Sequence, residues 1–188
     1  MKFQTLHITE PILKAVKEQG YVDPTPIQEQ AIPYALQGRD ILGCAQTGTG
    51  KTAAFSIPTI QMLKKHYKQS IRSLIVTPTR ELAIQIQENI TAYAQYTTIR
   101  SAVIFGGVPQ KPQERILKAG VDILVATPGR LNDLIQQGII DISHIEIFIL
   151  DEADRMLDMG FLPDVKRIIA KLPKSCLLYT SPSPRDVE

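Results

Sequence analysis

The chain has 188 residues, 44% hydrophobic and 21% charged, with a net charge of +2, which suits one ordinary globular core and is too mild a positive balance to imply nucleic acid by itself. Two cysteines make no disulfide framework, no apolar run approaches the roughly 18 residues of a membrane span, and the N-terminus lacks a signal-peptide layout. A cytoplasmic protein with no membrane association is therefore expected, with reduced thiols at Cys44 and Cys176.

From Thr9 to Glu18 the pattern predicts a short helix, capped by Thr9 and ended by Gly20. Thr25 then caps a second helix with Pro26 in the first position and Gln28 as the capping-box partner; it is bent or interrupted at Pro33 and stops at Gly38. Asp40 opens a short apolar strand that breaks into Ala45-Gln46-Thr47-Gly48-Thr49-Gly50-Lys51-Thr52, followed by a helix from Thr52 to Lys65. Beyond it strands and helices alternate: a strand at Ser73 to Thr77, a helix at Glu81 to Tyr96, a strand at Arg100 to Phe105, a helix at Pro112 to Ala119, and a strand at Asp122 to Ala126. Thr127 and Pro128 open a helix that Gly138 closes, Ile145 to Leu150 is a further strand, and Leu162 to Leu172 a last amphipathic helix. His7, His66 and His144 have no partner at metal-ligand spacing.

Apolar strands separated by crossover helices predict an α/β fold, a three-layer parallel sheet with helices on both faces. Ligands of such sheets sit beyond the carboxyl ends of the strands, where the chemically interesting loops of this chain fall. In the glycine-rich loop, Gly48 and Gly50 let backbone N–H groups turn inward on an anion at the start of a helix. Lys51 then reaches the β- and γ-phosphates of a nucleotide and Thr52 ligates Mg²⁺. Ala45 stands where the strict pattern asks for glycine. A buried strand delivers Asp151 and Glu152 to the same edge, the first suited to hold Mg²⁺ through water and the second to polarise an attacking water. The plainer alternative is that these acids cap the next helix.

The loop from Ala45 to Thr52, with Asp-Glu-Ala-Asp at 151 to 154, resembles the DEAD-box RNA helicases, whose phosphate loop usually begins with alanine. Gly20 to Gln28 resembles the Q motif of that family, and Phe3 stands at its isolated upstream aromatic. Pro78, Thr79, Arg80 and Glu81, then Gly106 and Gly107, then Thr127, Pro128, Gly129 and Arg130 match its RNA-contacting motifs. The run from Asp154 to Phe161 with Phe105 to Val108 is most similar to the bacterial RhlE-type subgroup. The resemblance covers about Phe3 to Leu172 and implies a RecA-like P-loop NTPase domain that couples ATP binding and hydrolysis to RNA unwinding. It implies that Tyr21 stacks on adenine, Gln28 pairs with its edge, and Asp154 links the nucleotide site to a Ser-Ala-Thr motif. Phe3 is either packing or a ligand contact. Arg80 and Arg130 are either phosphate partners or members of structural salt bridges. Contacts made by such groups grip sugar and phosphate without reading bases.

Three segments are expected: a flank with the Q motif at 1–38, the RecA-like ATP-binding domain at 39–175, and a non-native or disordered tail at 176–188. The family works with two RecA-like domains, and the second, with its transition-state arginine, is missing from the sequence. The tail from Cys176 to Asp186 resembles one reading frame of a transposase-based sequencing adapter, which points to a truncated reading frame; Leu177, Leu178 and Tyr179 are nonetheless apolar enough for a strand. A lone RecA-like domain acting as a non-catalytic binding module, and a DNA helicase of a related class, are the competing readings.

Overall fold

The computed structural model describes residues 2–43, 50–64 and 69–181. Ala45, Gln46, Thr47, Gly48 and Thr49 of the predicted phosphate loop lie outside these residues, as do Cys44, His66 and the tail after Ser181. The described strands are β1 (Ile41–Leu42), β2 (Ser73–Val76), β3 (Ser101–Ile104), β4 (Ile123–Ala126), β5 (Ile147–Asp151) and β6 (Leu177–Ser181). They form one parallel sheet in the order β1-β6-β5-β2-β4-β3. The helices are α1 (Glu10–Glu18), α2 (Pro26–Leu36), α3 (Lys51–Leu63), α4 (Arg80–Tyr93), α5 (Gln110–Lys118), α6 (Pro128–Gln136), α7 (Ala153–Asp158) and α8 (Leu162–Lys171), preceded by a 3₁₀ turn at Phe3–Leu6.

Strands covered on both faces need apolar side chains at odd and even positions alike, which is why β2 and β4 are buried throughout. Ile75, Ile123, Val125, Ile149 and Tyr179 pack with α1 to α4 on one face. Leu74, Val76, Leu124, Ala126 and Phe148 pack with α6, α7 and α8 on the other. Phe3 is 4% exposed within the first of these cores, so packing is what the structure gives it, and the N-terminal flank shares one core with the sheet. α2 runs through Pro33 as one continuous helix. The apolar stretch at 177–179 forms the start of β6, inserted between β1 and β5 with Ile41 opposite Tyr179 and Ile149 opposite the same residue. No described helix is long and apolar enough to cross a membrane.

A buried charge cluster locks the amino-terminal edge of the sheet. Arg72, 1% exposed, donates to Leu63 O at 2.8 Å and to Asp122 Oδ1 at 3.1 Å. Arg100 approaches Asp122 Oδ2 from the other side, through its backbone N at 2.8 Å and its Nε at 3.2 Å. One carboxylate thus ties together the starts of β2, β3 and β4, leaving the opposite edge to carry the loops that follow the strands.

Candidate functional site

At the carboxyl edge, β1 leads toward Gly50, whose φ of +85° is natural for glycine and costly for other residues. A Cβ there would overlap Gln28 Nε2 and lie 2.9 Å from Thr25 Oγ1, so the glycine is also required by the close approach of α2. Gln28 is buried, accepting from Thr25 N at 3.0 Å and donating to Gly50 O at 3.2 Å. The capping role expected of Gln28 is present, and its carboxamide also ties α2 to the start of α3.

Lys51 is the first residue of α3, and its ammonium lies 3.3 Å from Asp151 Oδ1. Asp151 ends β5 and accepts from Thr77 Oγ1 at 3.2 Å through its other oxygen. Burial pushes the Asp151 carboxyl above the ordinary carboxylate range, against the opposing pull of Lys51 and Thr77. Glu152 follows with φ 52° and ψ 51°, a left-handed conformation that costs a non-glycine residue on the order of 1 kcal/mol or more. Its carboxyl is raised first by burial and then by the charge of Asp151. Arg155 lies 3.9 Å from Glu152 Oε2. Asp151 Oδ1 faces only the Lys51 ammonium and Glu152 Oε2 only the Arg155 guanidinium, and neither oxygen has a further donor among the described residues. Two buried hard oxygens held only by cationic side chains, in a cleft that Thr52 also lines, suit a divalent cation that keeps most of its own waters. No group of three or more His, Cys, Asp or Glu side chains among the described residues forms an all-protein metal cage.

These residues line a cleft of about 290 Å³ together with Tyr21, Thr25, Thr52 and Ala53. Its remaining wall comes from α4, through Leu82, Gln85, Ile86, Asn89 and Tyr93, and the sequence reading did not foresee it. Leu82, Ile86, Ile90 and Tyr93 fall on one helical face in the sequence, a pattern that by itself marks a core-facing stripe; the signal available was Gln85 and Asn89 interrupting its border with amides. The raised Glu152 carboxyl yields a stability prediction. An acid whose folded pKa exceeds its unfolded value destabilises the fold above that window and ceases to do so once both states are protonated. In the metal-free chain, Glu152→Gln is expected to raise Tm by a few degrees at pH 7, the gain vanishing as pH falls below the ordinary glutamate range; thermal melts across pH check it.

The second group of predicted residues lies at the same edge, over β2, β4 and β3. Thr79 caps α4 by accepting from Leu82 N at 3.2 Å, and exposed Arg80 places its guanidinium carbon 5.0 Å from the Phe105 ring centroid. Gly106 and Gly107 are exposed, and φ is +80° at Gly107. Thr127 and buried Pro128 start α6. Arg130 donates to Gln113 Oε1 at 2.9 Å and to Val108 O at 2.8 Å, while Gln113 Nε2 donates to Phe105 O at 3.0 Å. Neither arginine forms an ion pair among the described residues. Arg130 instead braces the Gly106-Gly107 loop, with three of its five donors still available. Removing a charged donor's two hydrogen bonds predicts that Arg130→Ala speeds amide exchange across residues 105–109 about tenfold, and that lysine, which cannot span both acceptors, does not restore protection. Exchange mass spectrometry reads this directly.

Thr77 joins the two groups, since it precedes Pro78 and holds Asp151. Asp154, in the first turn of α7, belongs to the segment carrying Glu152.

Residues 25–188 match the DEAD/DEAH box helicase family. The chain is 44% identical over 190 residues to the ATP-dependent RNA helicase CshA of Limosilactobacillus reuteri, covering 100% of this chain and 38% of that protein. It is 43% identical over 186 residues to the DEAD-box ATP-dependent RNA helicase CshA of Streptococcus pneumoniae, covering 98% and 35%. Against DEAD-box ATP-dependent RNA helicase 20 of Oryza sativa the identity is 43% over 196 residues, covering 100% and 39%. The chain thus spans a little over a third of the length of these relatives.

Proposed function

The chain belongs to the DEAD/DEAH box helicase family, and from that premise we propose that it is the ATP-binding half of a cytoplasmic, RNA-dependent ATPase that remodels RNA duplexes. The observation that carries this reading is the convergence of Lys51, Asp151 and Glu152 on one cleft, with two buried carboxylate oxygens held only by cationic side chains among the described residues. ATP is read by Tyr21 against the adenine face and by Gln28 at its edge, using the second N–H and the second lone pair that capping leaves to the carboxamide. Lys51 exchanges Asp151 for the β- and γ-phosphates, and the loop from Ala45 to Thr49 with Gly50 supplies backbone donors. Thr52 and Asp151 hold Mg²⁺, which neutralises phosphate charge when bound. Glu152 accepts the proton of the attacking water.

RNA lies along the other half of the edge, gripped through Pro78 to Glu81, Gly106-Gly107 and Thr127 to Arg130, independently of sequence and weakened by salt. Asp154 couples this grip to the nucleotide. The partner is a second RecA-like domain, whose arginine is worth about 10³ to 10⁵ in rate in related phosphoryl-transfer enzymes; the chain alone therefore hydrolyses little ATP and unwinds no RNA. Within the family, the run Asp154 to Phe161 supports the RhlE-type subgroup, whereas the bacterial relatives compared above carry the name CshA. In a protein joining this chain to a second RecA-like domain, Glu152→Gln is expected to lower RNA-stimulated ATP turnover at least 100-fold while ATP binding persists. Turnover at the unmodified rate would remove Glu152 from its role.

A further inference from the structure

Tyr93 is the last residue of α4 and is 2% exposed. Its ring centroid lies 6.2 Å from that of Tyr21, tilted by 45°, and its phenol donates to the Tyr21 hydroxyl at 3.3 Å. Tyr21 itself is 38% exposed and sits in the irregular stretch between α1 and α2. Contacts just beyond Tyr93 hold the approach to that stretch. Tyr96 Oη donates to Glu18 at 2.6 Å, Gln95 Nε2 donates to Glu18 at 3.2 Å, and the Lys14 ammonium lies 4.2 Å from the Tyr96 ring centroid.

We infer that Tyr93 is a positioning residue: it fixes the half-exposed ring of Tyr21 as a wall for an aromatic base, and so sets the preference of the cleft for a purine nucleoside triphosphate over bare polyphosphate. The inference rests on the nucleotide reading above. A ring on an irregular segment samples several rotamers, and stacking a base on it requires it to stop; a ring already held loses less entropy on binding. A buried phenol needs a hydrogen-bond partner, and the one given to Tyr93 is Tyr21, so the two hydroxyls constrain each other, while the tilted ring contact restrains any aromatic side chain at position 21. Burial raises the Tyr93 phenol well above its ordinary range, so the proton it donates is not lost at any working pH. Both rings line the same cleft as Lys51 and Asp151, so the constraint acts at the binding site. The phosphate end of the cleft is built by other residues and should not register the change.

The 188-residue chain contains no tryptophan, which gives a direct reporter. Affinity for ATP and for inorganic tripolyphosphate is measured by calorimetry on the wild-type chain and on Tyr93→Phe, which removes one hydroxyl and keeps the ring. The expected result is ATP binding about 2- to 10-fold weaker, with tripolyphosphate binding and Tm unchanged. Separately, Tyr21→Trp places a single indole on the wall, and its fluorescence anisotropy without ligand should fall when Tyr93→Leu is added. Unchanged ATP affinity in Tyr93→Phe, equal losses for both ligands, or an indole equally restrained with and without Tyr93 would each overturn the assignment. A wild-type chain that binds neither ligand overturns the nucleotide reading instead, and the ligand-free indole measurement still decides whether Tyr93 positions its neighbour.

Discussion

Lys51→Ala is expected to weaken ATP binding by about 100-fold or more, the loss that follows from deleting one partner of a desolvated charge pair. Lys51 is the cation that the described cleft sets against Asp151 at 3.3 Å, and the same ammonium is the group available to the terminal phosphates. Its removal also leaves Asp151, 3% exposed, with no cation to oppose the cost of burial. The Asp151 pKa then rises further. The variant is consequently less stable than wild type above the ordinary aspartate range, and the difference closes at low pH where the carboxyl is protonated in both states. Calorimetric titration with ATP and thermal melts at two pH values check both halves. Near-normal ATP binding would mean that the phosphates are held elsewhere.

The largest effect on stability is expected at the other edge of the sheet. Asp122→Ala should cost about 3–5 kcal/mol, a large share of the 5–15 kcal/mol by which a domain of this size is stable. The substitution leaves the Arg72 guanidinium, 1% exposed, without its carboxylate and strips Arg100 of both its backbone and side-chain contacts to that group. Because these contacts join the starts of β2, β3 and β4, the loss should appear as one cooperative shift in urea midpoint with little change in slope. A shift worth under about 1 kcal/mol would show that water or a neighbouring chain segment replaces the carboxylate.

Most helices and strands could be read from the sequence because they are written in local periodicity, and Thr9, Thr79 and Thr127 do stand at the N-terminal ends of α1, α4 and α6, although only Thr79 closes a side-chain cap bond. The position of Asp151 and Glu152 at the carboxyl edge was equally legible, since the apolar strand before them runs straight into the two acids. Strand order is not local. Nothing within Leu177–Ser181 states that it inserts between β1 and β5, because that choice is made by the faces of strands more than a hundred residues apart in sequence. The same limit hid the α4 wall. Gln85, Asn89 and Tyr93 carry no motif, and only the packing of α4 beside Tyr21 turns them toward the cleft. Arg130 was read as either a phosphate partner or a salt-bridge member, and its bracing of Phe105 to Val108 through Gln113 required knowing that α5 and α6 meet there. The left-handed turn at Glu152 was likewise invisible, since glutamate gives no sequence signal for positive φ.

The proposed function turns on whether ATP hydrolysis by this domain answers to RNA. The deciding measurement is steady-state ATP hydrolysis by the chain joined to a second RecA-like domain, with single-stranded RNA, with DNA of the same sequence, and with neither. The expected result is hydrolysis stimulated at least tenfold by RNA, little affected by DNA, and falling steeply with salt as the phosphate grip weakens. Hydrolysis at one rate under all three conditions would contradict it.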